Sequence, residues 1–122
     1  MVLRSMVQSS GVRDWVIQRV SAVVLGVYSI GLLAIFLTYP QLDYDAWKAI
    51  CGGLPMKVSS SVAILCLGAH AWIGMWTVTT DYLTPIQLGR FAATVRFTAQ
   101  IAIVALILGY LVWGFYIFWG LA

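Results

Sequence analysis

Three stretches of this chain, residues 20–42, 58–80 and 97–122, hold no Asp, Glu, Lys or Arg, and they run for 23, 23 and 26 residues. Crossing the hydrocarbon of a bilayer takes ~20 mainly apolar residues per helix, so three spans fit and a fourth does not. All 11 charged residues fall in the remaining 50 positions of the 122. Hydrophobic residues make up 62% of the chain, a share that argues against a self-contained soluble hydrolase or kinase. The formal charge of +3 does not point to nucleic acid, because the basic residues are scattered at the edges of the apolar windows rather than gathered on one face. The reading is an all-α membrane protein, one domain over residues 1–122, with transmembrane helices at about 16–39, 58–80 and 97–119.

The flanks support that division. Ser9 or Ser10 is placed to cap a helix entering the interface. Trp15 and Arg19 lie four apart, as do Asp14 and Gln18, so a helix there presents an aromatic-plus-cation edge at headgroup level. The apolar run is too long for a signal peptide and no small-residue cleavage site follows it, so the first span is expected to stay in the mature protein. Tyr39-Pro40 closes the first span, since a residue before proline disfavours the helical region. In the first connection, 40–57, Tyr44 and Trp47 are three apart and suit a short surface helix, which Gly52-Gly53-Leu54-Pro55 breaks. Ser59-Ser60-Ser61 opens the second span, and residues 81–96 form the second connection. Tyr110, Trp113, Tyr116 and Trp119 crowd the far end of the third span like half of an aromatic belt.

Arg4, Arg13, Arg19, Arg90 and Arg96 fall on one side of this arrangement and only Lys48 and Lys57 on the other. Five against two predicts a cytoplasmic N-terminus and a periplasmic C-terminus. The two cysteines, Cys51 and Cys66, have no metal-like spacing and are expected to be unpaired.

His70 is the one histidine of the chain and falls within a span, twelve positions after Val58 and eleven before Asp81. A polar ring near mid-bilayer is costly and is expected to face protein or a cofactor. At 100° per residue Cys66, Gly74, Thr77 and Asp81 share its face, whereas Trp72 and Trp76 point away. Gly74, one turn on, lets a flat ring such as a haem edge approach the backbone. Spacing alone leaves three readings open: a haem ligand, a proton relay, and a neutral histidine bonded to a carbonyl or to a Ser/Thr of a neighbouring helix. This chain has no second histidine, and Met75 is about 140° round the helix, so a bis-histidine haem needs another subunit. Asp81-Tyr82 at the membrane edge reads either as belt residues or as a quinone hydrogen-bonding pair, and Arg13 and Arg19 either as lipid-phosphate contacts or as grips on a haem propionate.

Residues 70–82, His70-Ala71-Trp72-Ile73-Gly74-Met75-Trp76-Thr77-Val78-Thr79-Thr80-Asp81-Tyr82, resemble the H-x-W-x-G-x-W…D-Y signature of the smaller membrane-anchor subunits of bacterial succinate dehydrogenases. Gly11-Val12-Arg13-Asp14-Trp15 with Arg19 resembles the N-terminal motif of the same family. The resemblance implies a non-autonomous cytochrome b anchor in the bacterial inner membrane, inactive alone, serving electron transport from the tricarboxylic acid cycle. Its implied partners are a second three-span anchor, an iron–sulfur subunit, a flavoprotein subunit and membrane lipid, with ubiquinone as substrate. It further implies His70 as one axial ligand of haem b, with the other ligand from the partner anchor. Tyr82 becomes a hydrogen-bond donor to a quinone carbonyl with Asp81 ordering the site, and Arg19 lies near the propionates. Arg13 stands where some relatives carry histidine, with a propionate or lipid contact as its expected role. The rival readings are the haem-free anchor of a fumarate reductase and a non-redox membrane bundle, in which His70 is structural or relays protons.

Overall fold

The computed structural model describes the backbone of residues 2–120 and the side chains of residues 11–120. All of the described regular structure is helical: α1 (Val2–Thr38), α2 (Tyr44–Gly52), α3 (Leu54–Tyr82), α4 (Pro85–Leu88), a 3-10 turn at Gly89–Phe91 and α5 (Ala92–Gly120). Three of these are long and apolar enough to cross a membrane. Hydrocarbon offers the backbone no hydrogen-bond partner, so each spanning segment satisfies its own N–H and C=O groups as a helix.

α1 runs through Ser9 and Ser10 without a break, so these residues lie inside the helix rather than at its N-cap. Helix propagation adds a hydrogen bond per residue, and no proline interrupts the segment before Pro40. The side chains of Arg4, Ser9 and Ser10 lie outside the described residues. The helix ends where Tyr39-Pro40 was expected to stop it, with the Tyr39 N–H on the Ile35 carbonyl at 3.0 Å. Asp43 then caps α2, its carboxylate accepting from the Ala46 N–H at 2.8 Å. Trp47 of this short helix stacks on Phe36 of α1, with centroids 5.2 Å apart and planes 25° apart.

α3 starts at Leu54, ahead of the three serines expected to open it. Pro55 occupies the first turn, where its missing N–H costs nothing. Ser59 and Ser61 donate back to the Pro55 and Lys57 carbonyls, while Ser60 is fully buried. The second connection is also shorter than the 81–96 expected, because α5 begins at Ala92 and takes in Arg96. The Arg96 guanidinium reaches back to the Leu83 carbonyl at 2.8 and 3.2 Å, satisfying an acceptor just past the end of α3. Gly89, at φ +55°, makes the turn between α4 and α5.

α3 is the central element and packs on α1 on one side and α5 on the other. Buried apolar side chains among the described residues are only Met56, Ala63 and Ala92, beside the buried polar Ser21, Ser60 and Thr79. Small residues let the helices approach, and polar ones then bond across the seams. Tyr28 of α1 meets Ser60 at 2.6 Å, Gln100 of α5 donates to Thr79 at 3.2 Å, and Trp119 of α5 donates to Ser61 at 2.8 Å. The large apolar side chains point outward, Leu37 at 73% and Val112 at 70% exposure, as lipid-facing or subunit-facing helices require.

Hydrogen bonds between membrane helices contribute only ~0.6 kcal/mol on average, whereas overpacking a tight seam costs about 1–3 kcal/mol. Tyr28→Phe is therefore expected to lower stability by well under 1 kcal/mol. Ser60→Leu, which wedges α3 from α1, is expected to cost several times more, with both measured by reversible unfolding in bicelles.

Candidate functional site

His70 lies on α3, twelve residues before its C-terminal Tyr82, which is about 18 Å along the axis. Its ring faces α1. The Ser21 hydroxyl is 3.1 Å from Nδ1, and the same hydroxyl is 3.1 Å from the Gln18 carbonyl oxygen. A hydroxyl has one proton, and a carbonyl only accepts, so Ser21 donates to Gln18 and accepts from Nδ1–H. The network thereby assigns the neutral ring its Nδ1–H tautomer and leaves the lone pair on Nε2.

Among the described residues the hydrogen-bond partner of Nε2 is the Gln18 side-chain amide nitrogen at 3.5 Å, the outer limit of a hydrogen bond. The Oε1 of the same amide is buried without a partner. Gln18 is thus loosely held beside a nitrogen with a free lone pair. His70 and Gln18 line an open cleft of about 750 Å³ between α1 and α3, together with Trp15, Arg19, Gly74 and Thr77. A Cβ on Gly74 would stand 3.4 Å from the Gln18 amide nitrogen, an ordinary contact, and the glycine adds no side chain to the cleft that it lines. Arg19 lies over the Trp15 ring, 5.4 Å from its centroid, which confirms the aromatic-plus-cation edge expected from their spacing. Among the described residues no three His, Cys, Asp or Glu side chains converge, and His70 is the one histidine of the sequence.

The structure therefore brings His70, Arg19 and Gly74 together. Arg13 lies apart from them in an adjacent groove with Trp72 and Trp76, paired at 3.3 Å with the Asp14 carboxylate. Both partners are exposed, and such a pair contributes little to stability. Asp81 and Tyr82 line neither cleft and stand exposed at the end of α3, with Tyr82 at 65% exposure. Cys51 and Cys66 are free, and partial burial pushes the Cys51 thiol above its ordinary range.

Ser21 of α1 is the Ser/Thr of a neighbouring helix that the sequence reading left open as a partner for His70 without naming it, and Gln18 is a site residue that it missed. The signal was present as a polar stripe, Asp14, Gln18 and Ser21, spaced four and three along one face of a helix that is apolar beyond it. Nothing in that stripe said which neighbouring helix it meets.

An all-helical structure with three apolar spans and polar grooves between two of them is that of a multi-pass membrane protein, and its exposed apolar faces suit a subunit held among others. The chain belongs to the succinate dehydrogenase/fumarate reductase transmembrane subunit family, whose pattern matches residues 2–113. It is 32% identical over 109 residues to the succinate dehydrogenase hydrophobic membrane anchor subunit of Coxiella burnetii (strain RSA 493 / Nine Mile phase I), with 89% of each chain covered. The resemblance drawn from residues 70–82 thus extends over most of the sequence.

A single histidine makes the tautomer directly measurable. In protein labelled with ¹⁵N-histidine and held in mildly alkaline detergent solution, His70 is expected to show a protonated Nδ1 and a bare Nε2. The reverse pattern would break the Ser21 assignment.

Proposed function

We propose that this chain is the smaller anchor of a bacterial succinate:ubiquinone oxidoreductase, without catalytic activity alone. In this reading it holds haem b jointly with a second three-span anchor and tethers the iron–sulfur and flavoprotein subunits to the inner membrane. Its N-terminus is cytoplasmic and its C-terminus periplasmic, as the five-to-two division of basic residues favours. The observation that carries the reading is the state of His70: its Nδ1 is committed to Ser21, its Nε2 retains a lone pair beside an open cleft, and Arg19 lines that same cleft.

The residues present fit a haem. His70 offers one imidazole nitrogen and is the one histidine of the sequence, so a bis-histidine haem would take its second ligand from another subunit. Gly74 leaves room for a flat ring, the weakly held Gln18 amide is displaceable, and Arg19 supplies a guanidinium for a propionate. Arg13, already paired with Asp14 in the neighbouring groove, serves as an outer propionate or lipid-phosphate contact. When bound, haem b supplies a one-electron carrier whose potential depends on axial ligation, burial and hydrogen bonding.

Ubiquinone reduction consumes two protons with two electrons, and a site for it belongs where water can reach. Tyr82 and Asp81 stand exposed at the end of α3, about 18 Å along the helix from His70. In this reading the Tyr82 phenol donates to a quinone carbonyl oxygen and Asp81 orders the site and exchanges protons with water. The deep ring binds and the edge pair handles protons.

His70→Ala is expected to remove most haem from the purified complex, read as pyridine haemochrome per flavin. A wild-type complex without haem would instead favour a haem-free anchor of the fumarate reductase kind. Tyr82→Phe is expected to lower ubiquinone reduction by about 10²-fold or more, the lower range for a positioned proton donor, while succinate oxidation by an artificial dye persists. Equal loss of both activities would mean that Tyr82 is structural.

A further inference from the structure

We infer that Ser21 is the positioning residue that sets the orientation and tautomer of His70 for iron. This rests on the reading of His70 as a haem ligand. The two residues lie 49 positions apart on different helices, and their contact at 3.1 Å is the hydrogen bond made by Nδ1. Ser21 is 3% exposed, in a seam where water does not compete for its hydroxyl. Its oxygen is itself anchored, because the bond to the Gln18 carbonyl consumes its proton and fixes its rotamer against α1. The ring's angle about its own bonds is therefore held by the backbone of a different helix.

A ligating histidine gives its second N–H to an acceptor that fixes the ring and makes the bound nitrogen more basic. Ser21 does this through an oxygen polarised by a backbone carbonyl, so the chain runs from Nδ1–H to the hydroxyl to the Gln18 carbonyl. Loss of the hydroxyl leaves a buried N–H without an acceptor and lets the ring turn. A less basic ligand stabilises the oxidised iron less, so the reduction potential moves upward.

The test uses the assembled complex with three substitutions, Ser21→Ala, Ser21→Thr and Ser21→Val. Thr and Val share a shape and differ in the hydroxyl, which separates hydrogen bonding from packing. Haem affinity, measured by titrating haem into haem-depleted complex, and midpoint potential are the readouts, with flavin per anchor as the assembly control. Ser21→Ala and Ser21→Val are expected to weaken haem binding by about 10- to 100-fold and raise the potential, while Ser21→Thr stays close to wild type. Thr and Val behaving alike, whether both retained or both impaired, would overturn the assignment, as would an unchanged Ser21→Ala. A wild-type complex that takes up no haem would overturn the proposed function and this inference together. Haem lost in His70→Ala but insensitive to Ser21 would overturn only the role of Ser21.

Discussion

In hydrocarbon a polar group has only protein to bond to, and the rest of this structure follows from that constraint. It makes the three long segments helices, because a helix alone satisfies its own backbone. It then acts on the side chains. Ser59, Thr77 and Thr80 fold back onto carbonyls of their own helix, while Ser21, Ser60, Ser61 and Thr79 also reach or receive groups from a neighbouring helix. His70 is the most demanding of these groups, and Ser21 meets half of its requirement. The other nitrogen, with a weak neighbour at 3.5 Å, is where the demand is left open.

The same constraint explains why so little is buried. Between membrane helices there is no hydrophobic driving force of the kind that water supplies, so small residues and polar bonds decide the seams. Ala63, Ser60 and Gly68 on the central helix fit this pattern, with Leu111 of α5 lying 3.2 Å from where a Cβ on Gly68 would stand. Many Leu, Val and Ile side chains face outward instead, toward lipid or other subunits. A family of transmembrane subunits accounts for surfaces of this kind.

Much of this was readable in the sequence. Charge-free windows located the three long helices, Pro40 marked the end of the first, and the Trp15–Arg19 spacing foretold their contact. The errors share one cause: serines and arginines near a membrane edge have two uses. Ser9 and Ser10, read as a cap, lie inside α1; Ser59 to Ser61, read as a start, lie inside α3; and Arg96, assigned to a connection, belongs to α5 and binds the Leu83 carbonyl. In each case the helix continued because nothing nearby stopped it, and the side chains of Ser59, Ser60, Ser61 and Arg96 found other partners.

By itself the sequence determined the number of spans, the isolation of His70 in an apolar stretch and the family signature around it, because length, charge and periodicity are local properties that hold whatever the neighbours do. Only the tertiary structure decided that α3 lies between α1 and α5, that Ser21 and Gln18 are the groups beside the imidazole, and that Arg19 shares its cleft while Arg13 and Tyr82 do not. Helical periodicity says which residues share a face, but which face of another helix it meets is settled by packing across some fifty residues of chain, and that information is not local.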